Sequence, residues 1–372
     1  MGRKNQITYQ RCMANKQDDI LRKRKWLIMV GTLDQGGAEK QLYYIVQSLL
    51  QAGHSVDIVT LHQGQYWQGK LEALGITVHH NDAQKPLPRL WKMFGFYRKI
   101  KPDAAWCLHF FTTPYMAIPA RVRGIRPVGS IRNNGHHELE PIGKKAGWLF
   151  YHLVKVLIAN SEHGAANMRQ IFGTRTPIKV LPNVIDTTQF AYSPRPAGLP
   201  LRLVNVSRMV PLKQLDKFLH LVQRTRSQGY AVVATLVGYG PQEEALKQLA
   251  TELGIADAVT FTGRQTDVRP YLQQAHILVS TSAHEGVSNT MLEAMACGLP
   301  VITLHLQGIE HLITHNVNGK ICHTEQELEQ AILFAINNMD WVQQAGQAAR
   351  QKIERDHAPE GLAERFLQAA FG

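Results

Sequence analysis

The sequence predicts an α/β protein built from two parallel-sheet domains in tandem, and three observations carry that prediction. The chain has 372 residues, and dividing length by roughly 150 residues per domain gives about two. From Trp26 onward, short apolar runs alternate with amphipathic segments, which is the pattern of strand and crossover helix. Between Tyr192 and Pro200, Pro194, Pro196, Gly198 and Pro200 interrupt that pattern, and a second strand-helix series follows.

In the first series, strands are predicted near 26–31, 55–61, 76–80, 104–108, 128–131 and 156–159. Between the first two, Leu42, Ile45, Val46, Leu49 and Leu50 recur at helical spacing over Ala38 to Gln51, with Gly53 as the stop. The second series places strands at 201–206, 232–237, 259–262, 277–280 and 301–304, with Gly229, Gly254 and Gly298 where helices end. Glu325 to Phe371 reads as helical. The expected layout is a flexible leader over 1–25, a first domain over 26–192, a linker over 193–200, a second domain over 201–350, and a closing segment over 351–372 that could pack back on the first domain. Two such sheets in sequence imply a ligand cleft between facing domains, lined by the loops after strands.

Composition excludes several classes. Apolar residues make up 44% and charged residues 19%, as in a folded domain rather than a disordered chain. The apolar stretch from Trp26 to Leu33 is too short to span a bilayer, which takes ~20 residues, and it lacks a cleavage site. Cys12, Cys107, Cys297 and Cys322 are too scattered for a metal set and read as reduced thiols of a cytoplasmic protein. Residues 1–200 hold 27 Lys and Arg against 12 Asp and Glu, while residues 201–372 hold 14 against 17. The excess positive charge therefore lies in the first half, which implies an anionic partner for that half. No nucleic-acid-binding motif accompanies it.

Within that half, 83–102 contains no acid, and Lys85, Arg89, Lys92, Arg98, Lys99 and Lys101 are interleaved with Leu87, Leu90, Trp91, Met93, Phe94, Phe96 and Tyr97. This is the make-up of a helix lying on an anionic bilayer; a crossover helix with core aromatics and solvated cations has the same composition. Lys144, Lys145, Trp148, Phe150, Tyr151 and Lys155 repeat it.

The residues that carry chemistry follow strands. Glu285 and Glu293 straddle a strand-to-helix turn, with Ser288 or Asn289 as its cap, so both acids can meet sugar hydroxyls while the turn amides and the helix end face a diphosphate. An exposed loop acid and a helix-surface acid would share that spacing. Arg208 and Lys213 follow the first strand of the second series and can hold two phosphates. Val237-Gly-Tyr-Gly-Pro241 gives a ligand close access to the backbone.

Residues 27 to about 320 resemble glycosyltransferase family four, the retaining enzymes of the GT-B fold with two Rossmann-like domains. The pieces run in family order: Gly36-Gly37-Ala38-Glu39, Ala159-Asn160-Ser161-Glu162, Leu181 to Asp186, Ser207-Arg208 with Lys213, and Glu285 to Glu293 continuing through Val301. The resemblance implies that Gly36 and Gly37 lie near the donor phosphate, that Arg208 and Lys213 clamp the diphosphate, and that Gly238 lines the donor loop. It further implies that Arg264 and Gln265 contact the base, that Glu285, Gly286, Val287 and Ser288 hold the donor sugar, and that Glu293 binds the ribose. Many relatives carry a histidine after the strand that here ends at Ile131; this chain has Arg132, so Arg132, His109, His136 or His137 takes that catalytic role beside Glu285. A surface arginine paired with Glu138 or Glu140 is the alternative for Arg132. The glycine common after the clamp lysine is Gln214. No Asp-x-Asp occurs, so phosphate charge falls to the clamp and backbone dipoles, and no metal or other cofactor is expected.

The implied function is transfer of a sugar, with uridine diphosphate sugars expected first, to a glycan or lipid-linked acceptor in cell-surface polysaccharide biosynthesis. The expected place is the cytoplasmic face of the cell membrane, reached through the basic half. A nucleotide-sugar epimerase of similar fold and a catalytically silent sugar-binding protein are the rival readings.

Overall fold

The structure, a computed structural model, describes residues 20–284 and 287–372. The chain forms two compact units: Met1–Asn183 joined by Pro359–Gly372, and Val184–Ala358. Unit 1 runs β1 (Lys25–Val30), α1 (Gly37–Gln51), β2 (Ser55–Thr60), α2 (Gln68–Glu72), β3 (Thr77–His80), α3 (Pro86–Ile100), β4 (Ala104–Cys107), α4 (Thr113–Val122) and β5 (Pro127–Ile131). It continues through α5 (His136–Leu139), α6 (Gly143–Leu153), β6 (Val156–Ala159), α7 (Glu162–Phe172) and β7 (Ile178–Val180). Unit 2 runs β8 (Leu201–Val206), α8 (Leu215–Ser227), β9 (Val232–Val237), α9 (Glu243–Glu252), β10 (Val259–Phe261), α10 (Arg269–Gln274) and β11 (Ile277–Ser280). It closes with α11 (Asn289–Ala296), β12 (Val301–Leu304), β13 (Gly319–Cys322), α12 (Glu325–Asn337) and α13 (Met339–Asp356); α14 (Leu362–Phe371) follows and belongs to unit 1.

Both sheets are parallel. Their orders are β3-β2-β1-β4-β5-β6-β7 and β10-β9-β8-β11-β12-β13. Strands β4 and β6 are buried along their whole length, as sheets covered on both faces require. Helix α1 sends Leu42, Ile45, Val46 and Leu49 inward and ends before Gly53, whose φ of +83° stops a helix at little steric cost. In α3, Met93, Tyr97 and Ile100 are buried, whereas Leu87 and Trp91 are exposed. The helix is therefore a crossover helix and also carries an outward apolar stripe.

Three expected boundaries shift. The leader ends earlier than Lys25: Ile20 and Arg24 are buried, and the Arg24 guanidinium donates to the carbonyls of Ile20 and Arg22 and lies 4.1 Å from the Phe371 ring. Residues 193–200 are not a free linker, because Arg195 is buried in unit 2 and its guanidinium donates to the carbonyls of Ser193, Leu272, Ala275 and Cys297. A buried cation surrounded by four carbonyls pins the segment it sits on. The returning segment starts at Pro359 rather than 351, since α13 stays in unit 2 to Asp356. Its anchor is Phe366, whose ring centroid lies 5.2 Å from that of Trp26 and 4.9 Å from that of Trp106.

Candidate active site

In each sheet the strand order reverses at one point, between β1 and β4 and between β8 and β11. Loops leaving the carboxyl ends of strands on either side of such a reversal diverge and leave a crevice for a ligand. Of the residues singled out by sequence, Gly36, Gly37 and His109 follow β1 and β4, and Arg208, Lys213 and Ser288 follow β8 and β11, whereas Arg132 follows β5, Gly238 follows β9, and Arg264 and Gln265 follow β10.

In unit 2 the turn after β8 carries Arg208, which is exposed, and Lys213, which is half-buried. The loop after β11 is tied to it. The Ala283 amide donates to the Leu212 carbonyl (2.9 Å), and the Thr281 hydroxyl donates to the Lys213 carbonyl (3.0 Å). The buried Asn205 amide donates to the Val279 carbonyl (2.9 Å), and its oxygen accepts from the Ser207 hydroxyl (2.7 Å). Both cations are thus mounted on a braced platform.

The loop after β9 joins the same platform, and its glycines serve contact between two backbones. A Cβ on Gly238 would stand 3.0 Å from the carbonyl carbon of Ser207 and closer still to its oxygen, and one on Gly240 would strike the Met209 carbonyl. The Met209 amide donates to the Tyr239 carbonyl (2.9 Å). Arg264 stacks its guanidinium 5.2 Å from the Tyr239 ring, and the Gln265 side-chain amide donates to the Thr262 carbonyl (2.8 Å). Gln214 has a φ of +47°, a left-handed conformation that a glycine holds without cost.

Helix α11 begins beside this platform. Ser288 stands at its N-cap position without a side-chain capping bond, leaving first-turn amides to other partners. Val287 is half-buried and packs its side chain against the core of unit 2. Glu293 is buried rather than lying on the helix surface. Glu285 and Gly286 lie outside the described residues.

In unit 1 the loop after β4 holds His109. Its Nδ1 accepts the Gly31 amide hydrogen (3.0 Å), and its Nε2 lies 3.4 Å from the Glu39 carboxylate. Both ring nitrogens therefore face groups of unit 1. Gly36 is the N-cap of α1 and Gly37 its first residue. A Cβ on Gly36 would collide with the Glu39 carboxylate, which folds back over the helix start. The positive end of α1 thus faces an acid of its own chain.

Arg132, directly after β5, is buried and not a surface residue. Burial lowers its pKa to about 10, against the opposing pull of Glu138. The guanidinium lies 5.6 Å from the Trp106 ring centroid, and its Nε and Nη2 have no hydrogen-bond partner. Neither acid expected as its surface partner binds its side chain by a hydrogen bond. Glu138 accepts the backbone amides of Arg132 (2.7 Å) and Asn133 (3.1 Å), and Glu140 pairs with His137 (2.7 Å). Burial pushes the Glu138 carboxyl upward, partly offset by those two amides. His136 is exposed on α5. The sequence offered Glu138 beside Arg132, but its spacing had no means of finding Trp106 and Asn160, whose side-chain amide reaches the Arg132 carbonyl from 28 residues away.

Among the described residues no group of three or more His, Cys, Asp or Glu side chains is placed to hold a metal ion, and no helix is long and apolar enough to cross a membrane.

Residues 35–189 match the family model described as Glycosyltransferase Family 4, and residues 194–352 match that described as Glycosyl transferases group 1. The chain is 25% identical over 292 residues to the lipopolysaccharide core biosynthesis glycosyltransferase LpsE of Rhizobium meliloti, spanning 76% of this chain and 80% of that one. It is 27% identical over 292 residues to LpsD of the same organism, spanning 76% and 78%. Its fold is that of Anabaena Alr3699/HepE, solved with UDP-glucose, at a TM-score of 0.80 and 21% identity over 93% of this chain and 98% of that one. The shared architecture is GT-B.

Proposed function

Because the chain belongs to glycosyltransferase family four, with a group 1 second half, we propose that it moves a hexosyl residue from a UDP-sugar to a glycan or lipid-linked acceptor. The transfer retains anomeric configuration and needs no metal, and it serves cell-surface polysaccharide or lipopolysaccharide assembly at the cytoplasmic face of the membrane. The lipopolysaccharide relatives support the pathway, and the UDP-glucose bound to HepE supports the donor.

The observation that carries the reading is the braced platform of unit 2. Arg208 and Lys213 follow β8, and α11 with its buried Glu293 follows β11, the two strands on either side of the reversal. Two cations and a helix N-terminus suit a diphosphate, and an acid on the same helix suits ribose hydroxyls. In the transfer, the acceptor hydroxyl bonds to the anomeric carbon as the bond from that carbon to the diphosphate oxygen breaks. The electron pair leaves with UDP, and the hydroxyl proton is lost to the departing phosphate. Positive charge beside that phosphate favours bond breaking, and Arg208 and Lys213 supply it in place of a cation held by an Asp-x-Asp pair, which the chain lacks. The excess positive charge of residues 1–200 supports attraction to an anionic membrane.

Titration with UDP tests the donor site. Arg208→Ala and Glu293→Ala are each expected to weaken binding by ~1.5–3 kcal/mol, and undiminished affinity in both would place the donor elsewhere. Product analysis with and without acceptor separates transfer from epimerisation. Turnover that is abolished by a chelator and restored by magnesium would refute metal independence.

A further inference from the structure

Helix α4 packs against α3 on one side and α6 on the other, so the three lie side by side over one face of the unit 1 sheet. The outward surface of this layer is apolar where a soluble protein is normally polar. On α3, Leu87 and Trp91 are 70% and 72% exposed and stand one turn apart; the Phe94 ring lies 5.7 Å from that of Trp91 and extends the stripe. This stripe is separate from the buried Met93, Tyr97 and Ile100, so core packing does not explain it. On α4, Tyr115 and Ile118 are half-buried, and on α6 Trp148 is 54% and Leu149 50% exposed.

Exposed cations border the apolar strip: Lys85, Arg98 and Lys99 around α3, and Lys144 and Lys145 on α6. Nearby acids are engaged, Asp82 by Lys92 and Glu140 by His137. Trp91 is the sixth of fifteen residues in α3, which follows β3, so it sits toward the carboxyl edge of the sheet, the edge that carries His109 and Arg132, while Trp148 lies at the middle of α6.

We propose that this three-helix face is a docking surface that inserts its tryptophans into the headgroup layer of an anionic bilayer, with the loops after β4 and β5 held close to the lipid surface. Charge complementarity selects the bilayer: cations border the strip, and aromatic rings among apolar side chains are the chemistry of the interface region. The proposal deepens the membrane reading above and rests on it for its purpose. It adds insertion to attraction, so part of the binding must survive high salt, because burial of apolar surface is not screened as exposed charges are.

The experiment is flotation of the full chain with phosphatidylcholine vesicles, with and without phosphatidylglycerol, at low and high salt, and with brominated acyl chains to quench inserted tryptophans. Partition onto the phosphatidylglycerol vesicles is expected, with quenching of tryptophan emission and a fraction bound at high salt. The triple variant Leu87→Ser, Trp91→Ser, Trp148→Ser changes only residues more than half exposed, and is expected to lose partition by roughly tenfold or more along with the quenching. Unchanged partition by the variant, or wild-type binding that vanishes at high salt without quenching, would overturn insertion. So would a dimer of the wild type that the variant dissolves, which would make the face a contact between two copies. UDP titration of the same samples keeps the two readings apart, since the variant should bind UDP as the wild type does, and loss of UDP binding in the wild type would sink the donor reading and leave the docking result standing.

Discussion

Gly238→Ala is the sharpest probe of the proposed donor platform, because its effect can be worked out from backbone geometry. The residue has a φ of +137°, and an added Cβ would stand 3.0 Å from the Ser207 carbonyl carbon, where ordinary contact begins at 3.4 Å, with the carbonyl oxygen nearer still. Left-handed backbone with a side chain costs roughly 1–2 kcal/mol. Relieving the overlap costs about another 1–3 kcal/mol. Relief requires the β9 loop and the Ser207-Arg208 turn to part by roughly 1 Å, a misplacement that can lower turnover about a hundredfold. UDP affinity, read by calorimetry, is expected to weaken about tenfold as Arg208 moves with its turn. Gly229→Ala is the control. Its φ is +85° and nothing lies within 4 Å of the added Cβ, so it bears the strain without the collision. That variant should be less stable by roughly 1–2 kcal/mol yet bind UDP normally. The reasoning is refuted if Gly238→Ala binds UDP as the wild type does, or if Gly229→Ala loses as much affinity.

Three further variants test other parts of the molecule. Phe366→Ala removes a fully buried ring from unit 1 and should cost ~3–5 kcal/mol, lowering the unit 1 transition in calorimetry while UDP binding by unit 2 persists; an unchanged transition would mean α14 is not part of that core. His276 is buried, its Nδ1 accepting the Arg202 amide hydrogen (2.8 Å), and burial lowers its pKa below 6.5. A folded pKa below the unfolded one means that the stability is present above pH 6.5 and is lost as pH falls toward the folded value. His276→Asn should therefore narrow the gap in unfolding temperature to wild type as pH drops from about 7 to 5, and parallel curves would exclude this source of acid sensitivity. Arg132→Met removes a buried guanidinium whose Nε and Nη2 are unpaired. Turnover should fall more than about tenfold, with UDP affinity unchanged and unfolding temperature not reduced; normal turnover with a lowered unfolding temperature would make Arg132 structural.

What the sequence determined by itself was everything that rests on local periodicity. Buried parallel strands must be short apolar runs, so β4 and β6 were legible from Ala104 to Cys107 and Val156 to Ala159, and α1 was legible from its 3.6-residue repeat. Strands β7 and β13 were not anticipated: Lys179 and Lys320 interrupt their short apolar runs, and pairing with β6 and β12 makes them strands. The order of Arg208, Lys213 and Glu293 along the chain pointed to a phosphate and sugar site, because loops after strands are where α/β proteins hold ligands.

Only the tertiary structure decided which polar groups meet. The sequence offered His109 as a candidate for the catalytic role, but not its neighbours Gly31 and Glu39, 78 and 70 positions away, which meet its two ring nitrogens. Arg132 could be read from the sequence as a surface or a site residue, and its burial shows that it is not a surface residue. In α3 the same residues suited a core helix or a surface one, and the fold makes it both, because a helix side of 100° or so fills a core while the opposite side is left to whatever lies outside. The closing helix belongs to unit 1 for a reason no local window contains: Phe366 fills space between Trp26 and Trp106, residues more than 250 positions before it. Contacts of that separation depend on where the folded backbone returns, and the burial that favours them is proportional to area and blind to distance along the chain.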